Sequence, residues 1–259
     1  MLFSIKQYLQ YLIRIIFKKD SSSPFLTNFI ANVLKNKKSV THSLKIQELS
    51  ALYKSEKIII SKEDYGAGSK KKSKQLSLNT DQLVNNVSIS KKNGILLHHL
   101  ASYYKAEKCI ELGTSLGFGT AYLSNNTNTV ISIEGNKELA LLSKNSLNSV
   151  GIKNIEIINA KFDDVLENIL NKQGTFHLLF IDGNHTEEAT LAYFEIALKH
   201  LSANSIIVFD DINWSIGMNN AWNTIIKNKE IKVSIDLFRQ GIVFFDNKLH
   251  NKEHYTLWH

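Results

Sequence analysis

Between residues 108 and 246 the chain alternates between two hydrophobic periods. Short apolar runs, KCIELG, TVISIEG, IEIINA, HLLFIDG and SIIVFDD, are separated by longer stretches in which apolar residues recur every three or four positions, as in NKELALLSKNSLNSVG. Runs of strand length bounded by turn residues predict buried strands, and the longer period predicts amphipathic helices. Strands alternating with helices predict a doubly wound, mostly parallel sheet with helices on both faces. In the helix after IDGNH the expected apolar stripe is Leu191, Phe194, Leu198 and Leu201, with Glu187 and Glu188 in the first turn, where the helix dipole favours acids. Gly151 is placed to close the helix that starts near Asn136. The alternation breaks at KVSIDLF and GIVFFD, which meet across Arg239 and Gln240 with no room for a crossover helix, so this pair must be antiparallel. The runs together predict an α/β fold with a seven-stranded sheet whose last strand is antiparallel.

Residues 1 to 107 follow a different pattern, mostly helical and irregular, with DSSSPF and EDYGAGSKKKSK as the main interruptions and GILLHHLASYYKAE as a helix leading into the first core strand. In the opening MLFSIKQYLQYLIRIIF, Leu2, Ile5, Leu9, Leu12 and Ile16 recur at helical spacing. Lys6 and Arg14 interrupt the run and no small-residue cleavage site follows, which argues against a signal peptide, and the segment is too short to span a bilayer. It predicts an amphipathic helix packed on the protein, with peripheral membrane contact as the alternative. The expected organisation is a basic N-terminal extension over 1–93, containing a candidate lid, and a second domain over 94–259.

Length and composition narrow the class. A chain of 259 residues has room for one large α/β domain plus an appendage, and 43% hydrophobic with 21% charged residues is the balance of a globular protein rather than a disordered one. Cys109 is the only cysteine, so no internal disulfide can form and a reducing cytoplasm is expected. Charge is uneven: residues 1–107 hold 18 Lys and Arg against 7 Asp and Glu, a net +11, which leaves −4 for the rest of a chain of net +7. Such asymmetry suits either a solvated lysine-rich surface or a basic arm for an acidic partner.

The chemistry is concentrated in CIELGTSLGFGT, residues 109–120, where a strand runs into Gly113, Gly117 and Gly119. A glycine turn at a helix start lets the backbone approach a ligand closely. The spacing is neither G-x-G-x-x-G nor a P-loop. Two acids flank it. Glu111 lies inside the first strand, where a carboxylate must be satisfied by hydrogen bonds, as from an ammonium or an ordered water. Glu134 ends the second strand 21 residues after Gly113, where a ribose diol would sit. A zwitterionic amino acid attached to a nucleoside would use both acids.

ELGTSLGFGT resembles the first motif of class I S-adenosylmethionine-dependent methyltransferases, and SIEGN resembles their acidic second-strand motif. The likeness runs from about residue 94 to 246, includes the final antiparallel pair, and is strongest toward small O-methyltransferases of the catechol and caffeoyl-coenzyme A type and their bacterial relatives. It implies a Rossmann-like fold with S-adenosylmethionine as cofactor. It implies that Gly113, Ser115 and Gly117 contact the methionine part, Glu134 the ribose, and Ala160, Lys161 and Phe162 the adenine edge, with Glu111, Thr114, Thr120, Gly135 and Asp182 completing the cofactor set. Pro24 is the only proline, so the Pro-Pro-Tyr and Pro-Cys motifs of base-methylating enzymes are absent and nucleic acid is not the expected substrate. The expected acceptor is a small molecule methylated on oxygen; a homo-oligomer is compatible with the sequence. An RNA-directed or non-catalytic adenosylmethionine-binding module and a nicotinamide oxidoreductase are the alternatives.

IDGNH and FDDINW end the fourth and fifth strands and bring Asp182, Asp210 and Asp211 to the crevice, an oxygen set suited to Mg²⁺ or a similar hard cation. In the metal-dependent enzymes that these segments resemble, the ion binds an acceptor hydroxyl; here Asp211 stands where asparagine is common. Asp182 and His185 are the candidate catalytic pair, with His185 as a base or a partner to Asp182; helix capping is the alternative role for His185 and, with loop hydrogen bonding, for Asp210 and Asp211. Trp214 is a candidate acceptor contact, as are Tyr65 and Ser69 in EDYGAGSKKKSK, residues 63–74, which is read either as a lid or as a lysine-rich linker.

Overall fold

A computed structural model of the chain describes residues 2–16, 23–36, 43–61, 77–86, 88–246, 248–249 and 252–259. The candidate lid, with Tyr65 and Ser69, lies outside the described residues. In chain order the elements are α1 (Leu2–Ile16), α2 (Pro24–Phe29) running into a π-helical turn (Ile30–Leu34), α3 (Ser43–Glu56), β1 (Ile59–Ser61), β2 (Ser77–Asn79), α4 (Thr80–Asn86), α5 (Lys91–Tyr103), β3 (Lys108–Leu112), α6 (Phe118–Leu123), β4 (Thr129–Glu134), α7 (Lys137–Ser149), β5 (Ile155–Asn159), α8 (Phe162–Gln173), β6 (Phe176–Ile181), α9 (Glu187–Leu198), β7 (Leu201–Phe209), α10 (Ile216–Ile225), β8 (Val233–Asp236), β9 (Gly241–Phe244) and β10 (Glu253–Thr256). The chain falls into two compact units, Asn32–Val165, and Met1–Ala31 with Leu166–His259.

In the first unit β3, β4 and β5 pair in parallel, with Glu111 opposite Ser132 and Glu134 opposite Asn159. Strands β3 and β4 are buried along nearly their whole length, as parallel strands covered on both faces must be. Helix α7 starts on the Asn136 side chain, which accepts the Leu139 N–H at 3.0 Å. It ends at Gly151, whose φ of +77° only glycine adopts freely, with the Ile152 N–H closing on the Leu147 carbonyl. Helix α3 buries Leu49 and Tyr53 in one cluster with Leu116, Phe118, Tyr122 and Leu147. The Tyr53 hydroxyl also donates to the Leu116 carbonyl at 3.0 Å, so part of the N-terminal extension braces the glycine turn itself.

In the second unit β6 and β7 are parallel, and β9 runs antiparallel to both β7 and β8. The expected antiparallel pair is present. Beyond it β10 adds a parallel edge strand on β8, which a short, half-polar EHYT did not signal. Helix α9 buries Phe194 of the expected stripe together with Thr190, Tyr193 and Ala197, while Leu191 and Leu198 are only partly buried and Leu201 opens β7. LAYFEIAL is apolar nearly all round, so periodicity could not orient it. Helix α1 is also turned from its expected face: Ile5, Leu9, Ile13 and Ile16 are exposed and Tyr11 is buried. Its anchors are Tyr11, whose hydroxyl donates to the Leu257 carbonyl, and Arg14, 3.3 Å from Asp236. Among the described residues no helix is long and apolar enough to cross a membrane. The architecture is a Rossmann-like α/β fold with a mostly parallel sheet, an antiparallel C-terminal pair and an N-terminal helix.

Candidate active site

Backbone geometry sets the glycine turn. Gly113 at φ +107° and Gly117 at φ +81° adopt conformations that side chains resist, and a Cβ on Gly117 would lie 2.7 Å from Leu147. Gly117 is the N-cap of α6, and its N–H closes a tight turn on the Thr114 carbonyl at 2.8 Å. Between them Ser115 is held at φ +48°, a rare value for a residue with a side chain. Its N–H donates to Glu134 Oε2 at 2.8 Å, while Glu134 Oε1 accepts the Asn136 N–H at 2.9 Å. The carboxylate at the end of β4 is therefore oriented by the turn at the end of β3. Ala160 is tied to the same place, its N–H donating to the Glu134 carbonyl at 3.1 Å, and Asn159 donates to the carbonyls of Glu134 and Gly135. The structure thus brings together Gly113, Thr114, Ser115, Gly117, Thr120, Glu134, Gly135 and Ala160, with Lys161 and Phe162 following directly in sequence.

Glu111 is 1% exposed, and its Oε2 receives the hydroxyls of Thr120 and Ser132, the latter at 2.6 Å. Thr114 Oγ1 extends the chain to Ser132 Oγ at 2.5 Å. Burial pushes the Glu111 carboxyl up to about 7, with the Ser132 and Thr120 hydroxyls pulling the other way and the Glu134 charge adding to the rise. Side-chain hydroxyls, rather than an ammonium, meet this acid's first demand. Ser132 was missed from the sequence, although a lone serine in the apolar run TVISIE was its signal. Cys109 is buried and unpaired, and burial raises its thiol further from reactivity.

The second unit gathers the acids of the β6 and β7 ends. His185 Nε2 lies 3.7 Å from Asp182 Oδ1, and both side chains are about one-quarter exposed, at 22% and 26%. Asp210 is buried, and its N–H bonds the Ile181 carbonyl at 2.9 Å across the two strand ends. Burial first, then the Asp182 and Asp211 charges, push its carboxyl well above the usual range, against Arg239 and His185. The Arg239 Nε lies 3.0 Å from Asp211 and 3.7 Å from Asp210. Three residues here, Asn184, Asp211 and Phe238, have positive φ without being glycine, a concentration of backbone strain usual at functional sites.

The aspartates expected to converge on a cation meet a guanidinium. Among the described residues no group of three His, Cys, Asp or Glu side chains is placed to hold a metal ion, and the positive charge between Asp210 and Asp211 is already supplied by the chain. The donor set does not fit a divalent ion. Arg239 was read from sequence only as a turn residue, and nothing in FRQG marks its partners, which lie 28 and 29 positions earlier. Trp214 stands on the same loop, its N–H on the Asp211 carbonyl at 2.8 Å.

Residues 110–212 match the family model of a methyltransferase domain. The chain is similar to two catechol O-methyltransferases. The one from Niastella koreensis is 26% identical over 134 residues, 49% of this chain and 58% of that protein. The one from Mycobacterium tuberculosis is 26% identical over 130 residues, 49% of this chain and 57% of that protein. The chain thus spans a little over half the length of these curated relatives. Among solved structures, the O-methyltransferase from Bacillus cereus in complex with S-adenosylhomocysteine aligns with a TM-score of 0.57 at 17% identity, covering 85% of this chain and 97% of that one, a likeness of fold.

Proposed function

From a chain whose residues 110–212 match the family model of a methyltransferase domain, we propose an S-adenosylmethionine-dependent O-methyltransferase acting on a hydroxyl of a small-molecule acceptor. The observation that carries this reading is the Glu134 carboxylate, fixed by two backbone N–H groups at 2.8 and 2.9 Å. A carboxylate held in this orientation at the end of β4 is placed to accept from the hydroxyls of a ribose. Both bonds of Glu111 fall on Oε2, which leaves the other oxygen to the amino end of the cofactor. Gly113, Ser115 and Gly117 hold the methionine part, and Ala160, Lys161 and Phe162 border the adenine.

Bound adenosylmethionine supplies an electrophilic methyl on a positively charged sulfur. His185, with Asp182 as its partner, takes the acceptor's proton as the oxygen gains that methyl. Trp214, Tyr65 and Ser69 are assigned to the acceptor. No step requires a metal ion. Cys109, buried and unpaired, suits a reducing cytoplasm. The test is to incubate the protein with adenosylmethionine and a panel of catechols, phenols and polyols, following adenosylhomocysteine by mass spectrometry. Acceptor-dependent release supports the reading; tight NAD binding with no release across the panel contradicts it.

A further inference from the structure

We propose that Arg239 is the resident cation of the Asp182, Asp210 and Asp211 cluster, so that the acceptor's oxygens are received by a guanidinium and carboxylates and the site works without a divalent ion. The inference rests on the methyltransferase reading for its acceptor, and on this chain's geometry for the rest. The Arg239 Nε lies between two carboxylates, at 3.0 and 3.7 Å.

The guanidinium is placed by a built turn rather than by a mobile side chain alone. Phe238 is held at φ +68°, its ring centroid 5.0 Å from Tyr8 and 5.2 Å from Tyr11. Its N–H donates to Asp236 Oδ1 at 2.7 Å. The turn is then stitched to the acid loop from both sides. The Ile212 N–H donates to the Arg239 carbonyl at 3.0 Å, and Asn213 Nδ2 to the Phe238 carbonyl at 2.7 Å. A bulky residue in the left-handed region persists only when its surroundings over-determine it, and what this strain sets is the position of the next residue, Arg239.

Charge and donors define what the site takes. Arg239 uses Nε toward the acids and is half-exposed, which leaves its terminal amino groups to an incoming oxygen. Asp210 Oδ1 is buried without a hydrogen-bond partner among the described residues. A neutral acceptor with adjacent hydroxyls satisfies both, accepting from the guanidinium while donating to a carboxylate. A dication entering the same place would have to displace a positive charge that burial opposes and three carboxylates more than restore.

The experiment is a titration of the full chain with Mn²⁺, read by the electron paramagnetic resonance signal of free aqueous ion, on wild type, Arg239→Gln and Arg239→Lys. Wild type and Arg239→Lys should bind no Mn²⁺ below the millimolar range, while Arg239→Gln, which exposes the acids, should bind at least tenfold more tightly. Adenosylhomocysteine affinity, measured by calorimetry on the same samples, should stay within threefold throughout, so that a failed cofactor reading is told apart from a failed cation reading. Micromolar Mn²⁺ binding by wild type overturns the proposal. So does equal, weak binding by all three folded proteins. If Arg239→Gln does not fold, the wild-type and Arg239→Lys titrations decide alone: binding by either at micromolar ion overturns it, and absence of binding by both upholds it.

Discussion

Glu134, in the Asn32–Val165 unit, receives a backbone N–H on each carboxylate oxygen, whereas Asp210, in the other unit, keeps Oδ1 buried with no hydrogen-bond partner among the described residues and feels the charges of Asp182 and Asp211. Both acids end parallel strands. They differ in what the surrounding chain was built to supply. Around Glu134 and Glu111 the chain provides amides and hydroxyls, so the acids are in place before any ligand arrives. Around Asp210 it provides one guanidinium and three strained backbone positions, and demand is left over. A binding region that must grip a large cofactor gains from preorganisation; a region that must handle a reacting hydroxyl gains from groups left ready to bond.

The comparison can be broken first at Glu111, where the expected effect is largest. Its folded carboxyl is raised to about 7 from an ordinary 4.5, so the folded chain holds a proton that the unfolded chain has already released. Stability therefore falls as pH rises from about 4.5 to about 7, by ~3 kcal/mol at most, and is flat in this respect above that window. Urea melts across pH 4 to 8 should show this slope in wild type and lose most of it in Glu111→Gln, which keeps an acceptor for Ser132 and Thr120. An unchanged slope would mean that Glu111 is not the acid that burial raises.

Asp210→Asn gives a smaller effect of opposite interest. Removing a buried carboxyl crowded by two others should stabilise the fold by ~1 kcal/mol at pH 7, since burial and the charges of Asp182 and Asp211 oppose its ionised form. Methyl transfer should fall in the same variant. A gain in melting temperature with lost turnover is the signature of a site that trades stability for function. Loss of both would mean that the Asp210 and Arg239 pair is structural.

The two regions also differ in how far the sequence revealed them. Strands β3, β4 and β6 were legible as apolar runs because burial on both faces leaves little choice of residue, and the glycine turn because φ of +107° and +81° at Gly113 and Gly117 admits few side chains. Glu134 was legible from its place at a strand end. The hydroxyls on Glu111 were not, because the pairing of Glu111 with Ser132 depends on strand register. Arg239 was invisible for a related reason: its partners are set by the antiparallel return of β9, and a two-residue turn carries no motif. The face of α1 was misread because one buried tyrosine with a hydrogen-bonded hydroxyl, braced by the Arg14 and Asp236 pair, fixed the helix where leucine spacing suggested otherwise.

The central claim is that the Glu134 turn holds an adenosyl cofactor. Isothermal calorimetry of the full chain with adenosylhomocysteine, on wild type and Glu134→Ala, tests it directly. The account predicts saturable one-to-one binding by wild type, weakened in the variant by ~1–3 kcal/mol, the usual loss when buried hydroxyls lose a charged partner. Binding that is unchanged by the substitution, or absent from a folded wild type, would contradict it.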